Sequence, residues 1–150
     1  MNTNELMIGD WVNRRVGWID EETKEIAWEA GIPFPIQVAA IYDGLVQYDV
    51  EMGYGIIRSI EAADYELSPI PITPEILEKN GFVAGKAKNR KGLRLISAPD
   101  LYLSLWRGRL NVRYIRALEK PIIQMQTDCQ YVHELQHYLR LMGINKEISL

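Results

Sequence analysis

A single cysteine, Cys129, occurs in the 150 residues, so no disulfide can form within the chain. A lone thiol suits a reducing compartment, and its commonest role is that of a small buried hydrophobe. Long apolar runs are missing too: Ile36–Tyr42 and Leu101–Trp106 are far too short to cross a bilayer. The opening Met1-Asn2-Thr3-Asn4-Glu5 has neither the basic nor the apolar segment of a secretory leader. The expectation is a cytoplasmic protein without membrane association. No Gly-x-Gly-x-x-Gly, Walker loop or Gly-x-Ser-x-Gly elbow is present, and no cofactor is expected.

What the sequence does contain is ordinary in bulk and uneven in place. Hydrophobic residues make up 47% and charged residues 25%, the proportions of a globular chain. A chain of this length buries roughly 70% of its unfolded surface without disulfides. The net charge of −3 conceals a division. Residues 1–85 carry 5 basic and 15 acidic side chains, and residues 86–120 carry 10 basic and 2 acidic. Such asymmetry points to an interaction surface rather than to a fold.

The first 70 residues have the short runs and turn residues of β structure. Met7–Val12 predicts a turn and a strand. Trp18-Ile19 and Ile26–Trp28 flank the polar Asp20–Glu25 as a protruding hairpin. Asp43-Gly44 divides Ile36–Tyr42 from Leu45–Val50 and predicts a type I′ turn, which needs positive φ at both central residues. Gly53 and Gly55 mark a turn before Ile56–Ile60, and Glu61–Asp64 suggests a 3₁₀ turn before a last strand, Tyr65–Ile70. Five or so short strands in this order predict a small SH3-like β-barrel over residues 1–70.

Ser68–Ile72, with two prolines, is a stiff connector. It leads to a short helix with Thr73 as N-cap, Pro74 at its first position and Asn80-Gly81 as its stop. Residues 83–91 show no periodicity and predict a basic loop. Strands are expected over 93–97, 101–106, 110–118 and 122–126. A final helix is expected from about Asp128 to Met142, capped by Thr127 and Gln130 and ended by Gly143. Residues 71–150 thus form an α+β region, a β-meander packed with a C-terminal helix.

His133-Glu134-Leu135-Gln136-His137 spells the His-Glu-x-x-His motif, in which two histidines one turn apart hold Zn²⁺ and the glutamate polarises its water. That makes a zinc-dependent hydrolase the alternative function, with Glu134 catalytic and His133 and His137 as ligands. Nothing downstream marks a third ligand, which a catalytic zinc requires. At 100° per residue an apolar stripe of Val132, Leu135, Leu139 and Met142 sets both histidines near the opposite face, toward water. The favoured reading is a packing helix.

Three stretches, 8–12 (IGDWV), 69–82 (PIPITPEILEKNGF) and 131–144 (YVHELQHYLRLMGI), resemble a family of short uncharacterised proteins from gut bacteria and their phage-like or mobile elements. The resemblance implies no activity. It implies asparagine in place of His137 among relatives, as suits a helix signature more than a metal site.

The segment 101–118 is the more informative surface. With Arg107-Gly108 as its turn, Trp106 would face Arg109, Ser104 would face Asn111, and Tyr102 would face Arg113, on the side away from Leu101, Leu103, Leu105, Leu110 and Val112. Rings interleaved with guanidiniums suit single-stranded nucleic acid, whose bases stack and whose phosphates need cations. The Lys86–Arg94 loop, with Lys86, Lys88, Arg90 and Lys91, could add phosphate contacts. The same Trp–Arg and Tyr–Arg pairs also stabilise hairpins by themselves. The chain is therefore expected to be a non-catalytic binding or adaptor protein, contacting nucleic acid or a protein partner. Its oligomeric state is open.

Overall fold

A computed structural model describes the backbone of residues 1–87, 90–95, 98–106, 109–114 and 123–150, with side chains over 1–83 and 129–150. The protein is mixed α+β, with mostly antiparallel strands in small sheets and one C-terminal helix. It divides into two compact units, Met1–Ile70 and Pro71–Leu150. Among the described residues no helix is long and apolar enough to cross a membrane.

The first unit contains β1 (Trp11–Arg14), β2 (Gly17–Ile19), β3 (Ile26–Trp28), β4 (Phe34–Gln37), β5 (Ala40–Tyr42), β6 (Leu45–Glu51), β7 (Ile57–Ala63) and β8 (Leu67–Pro69). Three antiparallel sheets result, with orders β4-β1-β8, β2-β3 and β5-β6-β7. Asp43 and Gly44 have φ of 47° and 77°, so the turn between β5 and β6 has the predicted left-handed pair. The run 36–42 is divided between two sheets, because Val38 donates to the Asp10 carbonyl and Ala39 to that of Gln47. Glu61–Ala63 belongs to β7, and the 3₁₀ turn falls later, at Asp64–Glu66. In-register pairing with β6 extends that strand past where local sequence would end it.

Alternation builds the core. Val12, Ile36, Val38, Val46, Tyr48, Ala62 and Leu67 are buried together with Leu6. Arg14 is buried with them and is held through both terminal nitrogens of its guanidinium, while its buried Nε has no hydrogen-bond partner. Its Nη2 lies 3.0 Å from Glu66 Oε1, its Nη1 donates to Tyr48 Oη, and its guanidinium sits 5.2 Å from the Tyr48 ring centroid. Burial acts against the Arg14 charge, but the hydrogen bonds to Glu66 and Tyr48 outweigh it and raise the pKa. Glu66 also accepts from the Gly17 and Ala63 amides. The pair ties β1 to the turn before β8.

The second unit contains α1 (Pro74–Lys79), β9 (Phe82–Ala87), β10 (Arg90–Leu95), β11 (Ala98–Trp106), β12 (Arg109–Tyr114), β13 (Ile123–Cys129) and α2 (Val132–Leu141). The sheet is a meander in chain order, β13-β12-β11-β10-β9. Thr73 Oγ1 accepts from the Ile76 amide at 3.3 Å, Pro74 opens α1, and Gly81 has φ of 78°, all as the sequence predicts.

Two expectations are corrected. Residues 83–91 are strand rather than loop on either side of Lys88 and Asn89, which lie outside the described residues. Ala84-Gly85-Lys86-Ala87 has little β propensity, and pairing with β10 overrides it. Thr127 lies within β13, so it caps nothing, and α2 begins at Val132. An isolated bridge between Pro71 and Tyr131 holds the chain extended to that point. Gly143, with φ of 69°, ends α2 as anticipated.

Candidate functional site

The His-Glu-Leu-Gln-His helix serves its own N-terminus first. Glu134 Oε2 accepts from the Gln130 amide at 2.7 Å and from the Tyr131 amide at 3.1 Å. This is the carboxylate arm of a capping box, with Tyr131 as N-cap and Glu134 at the third helical position. One of the two carboxylate oxygens is thereby committed to backbone donors, and the side chain is held back over the helix start.

The expectation that both histidines face water is corrected. His133 is 4% exposed and Gln136 1%, beside Val132, Leu135 and Leu139. His137 is half-buried, whereas Leu141 is exposed. The buried arc is rotated from the apolar stripe toward the histidines. His133 stacks on Tyr131 with ring centroids 5.9 Å apart and 6° between planes, and it meets His137 edge-on at 5.9 Å. Among the described residues no group of three His, Cys, Asp or Glu side chains could hold a metal ion. Cys129 is buried beside this helix end, and its thiol is pushed up to about 12 by burial first and by the charge of Glu134 second. A neutral thiol is a poor nucleophile.

The meander offers different chemistry, legible from register. β11 and β12 pair Trp106 with Arg109, Ser104 with Asn111 and Tyr102 with Arg113, the arrangement expected from sequence. Directly opposed residues share a face of a sheet, and strand alternation carries that face along. The pairing extends across four strands, because Arg94 opposes Tyr102 on the other side and Gln124 opposes Arg113. The result is a transverse row, Arg94–Tyr102–Arg113–Gln124. Arg90 belongs to the same face by alternation from Arg94.

Lys86 and Lys91 do not. They oppose each other, and Lys91 alternates with Leu93, which opposes Leu103 on the apolar face. Lys88 and the Arg107-Gly108 turn lie outside the described residues. Sequence reasoning missed Arg94 as a neighbour of Tyr102, because no local signal sets the register between β10 and β11.

A second concentration of exposed groups lies in the first unit. On the β2–β3 hairpin Trp18 and Ile19 are more than half exposed, and at the β6–β7 apex Tyr54 is fully exposed with φ of 54°. Compared with family models, with curated proteins and with solved structures, the chain shows no match.

Proposed function

We propose that the chain is a non-catalytic binding protein whose β10–β12 face takes single-stranded nucleic acid. The observation that carries this reading is the row Arg94–Tyr102–Arg113, an aromatic position between two guanidinium positions on adjacent strands. Stacking on one ring with phosphate contacts to either side is how open sheets hold unpaired strands. Arg90, Arg94, Arg109 and Arg113, which register and alternation set on this one face, supply the attraction. We read residues 1–70 as an SH3-like barrel, supported by the 3₁₀ turn before β8 and the return of β8 onto β1. The lone buried Cys129 is in keeping with a cytoplasmic location.

Titration of labelled single-stranded DNA and RNA at two salt concentrations tests the function. Affinity should fall steeply with salt, and Arg109→Glu/Arg113→Glu should abolish binding while the circular dichroism spectrum is kept. Salt-insensitive binding, or full affinity in that variant, overturns the reading. A zinc hydrolase built on His133, Glu134 and His137 is disfavoured by the capping role of Glu134. Metal analysis of protein purified without a nickel column, expected to find no stoichiometric zinc, checks that choice.

A further inference from the structure

Hairpin β2–β3 is a two-stranded ribbon that joins no third strand among the described residues. Its register sets Trp18 with Ala27 on one face, and Gly17, Ile19, Ile26 and Trp28 on the other. Apolar side chains are exposed on both faces, with Trp18 at 54% and Ile19 at 52%. A ribbon that is apolar on both sides is what a partner ordinarily covers.

The tip is ordered and acidic. Asp20 Oδ1 accepts from the Glu22 amide, the Thr23 amide and the Thr23 hydroxyl at 2.8–3.0 Å, which fixes the turn that carries exposed Glu21, Glu22 and Glu25. One indole of the ribbon already holds a cation. The Arg15 guanidinium lies 5.0 Å from the Trp28 ring centroid. Trp18 presents a second and more exposed ring of the same chemistry.

The occupant that matches carboxylates and indoles in this arrangement is a basic, aromatic sheet face. The chain itself carries one. Residues 1–70 have 13 acidic and 4 basic side chains, whereas register and alternation set Arg90, Arg94, Arg109 and Arg113 on the face that carries Tyr102 and Trp106. We infer that the β2–β3 hairpin docks on the β10–β12 face of a second copy of the chain, its carboxylates taking the place of phosphates and its indoles that of bases. Two such contacts related by a two-fold axis close a dimer. Docking and oligonucleotide binding then exclude each other. The inference rests on the basic face proposed above but not on the identity of its ligand.

Sedimentation velocity on the full chain, without oligonucleotide, is the test. At low salt the wild type should form a concentration-dependent dimer that dissociates at high salt, since attraction between exposed charges is screened. Glu21→Lys/Glu22→Lys and Arg109→Glu/Arg113→Glu should each weaken the dimer by about tenfold or more. Mixed together, the two variants should associate again, because each supplies a sign that the other lacks. A misfolded variant could not restore association. A wild type that is monomeric at every concentration and salt overturns the inference, as does a dimer that neither variant weakens or a mixture that fails to associate. Dimerisation without oligonucleotide binding would sustain the inference and remove only the nucleic-acid reading.

Discussion

Glu134 shows how one side chain decides between two readings of the same five letters. As a metalloprotease glutamate it would face a bound water, but it closes two backbone amides at the start of α2. Replacing it with Ala removes the acceptor shared by both amides and a negative charge from a helix N-terminus, at a cost of about 1 kcal/mol. Urea unfolding should show this loss, with Glu134→Gln recovering part of it. Cys129 behaves in the opposite manner, valued for staying neutral. Its ordinary value of 9.0 is pushed up to about 12, so its contribution to stability is whole below pH 9 and is lost as pH rises through about 12. A thiol reagent at pH 8 should leave the native protein unmodified and react at once in urea. Rapid native reaction would show that Cys129 is not held as described.

At the scale of elements, what was legible in the sequence was what residues close in the chain decide. Thr73, Pro74 and Gly81 bound α1 through contacts within a few residues, and Asp43-Gly44 sets its own turn. The β11–β12 register was legible for the same reason, since Trp106 and Arg109 are separated by only two residues in the sequence. β9 was not legible, because Ala84, Gly85, Lys86 and Ala87 disfavour strands and take strand form against β10. The face of α2 was misjudged because hydropathy places His133 and Gln136 outside, whereas both are buried. The exposed hairpin in the first unit was visible, but not that its rings would stay uncovered. Gly17 is its most sensitive position. A Cβ there would lie 2.7 Å from Trp28 Cε3 and 3.1 Å from the Ala27 carbonyl oxygen. Gly17→Ala should therefore drive Trp28 off the Arg15 guanidinium, shifting one of the four indole N–H signals in an NMR spectrum while the other three stay. An unmoved spectrum would contradict the packing.

For the whole molecule, the division at Ile70 has an energetic meaning. Met1–Ile70 owns its hydrophobic cluster, and its buried ion pair, Arg14 with Glu66, is made entirely from its own strands and turn. A fragment of residues 1–70 should fold alone, with a near-ultraviolet circular dichroism signal and a cooperative melt. Glu66→Ala in that fragment should cost roughly 3–5 kcal/mol, because it leaves the Arg14 charge buried without its carboxylate. A fragment of this size has little stability to spare, so that loss should unfold it. A well-folded Glu66→Ala fragment would refute the role given to the pair.

The pairing of β1 with β8 has a consequence in time. Every strand of the meander neighbours the one before it in the chain, so its contacts can form by successive short closures. In the first unit, Val12 meets Pro69 and Arg14 meets Leu67 across more than fifty residues of intervening chain. That closure carries the larger loop entropy, and refolding followed by stopped-flow fluorescence is expected to be paced by it. Mutations at this seam should slow folding, whereas mutations in the β5–β6–β7 hairpins should chiefly hasten unfolding.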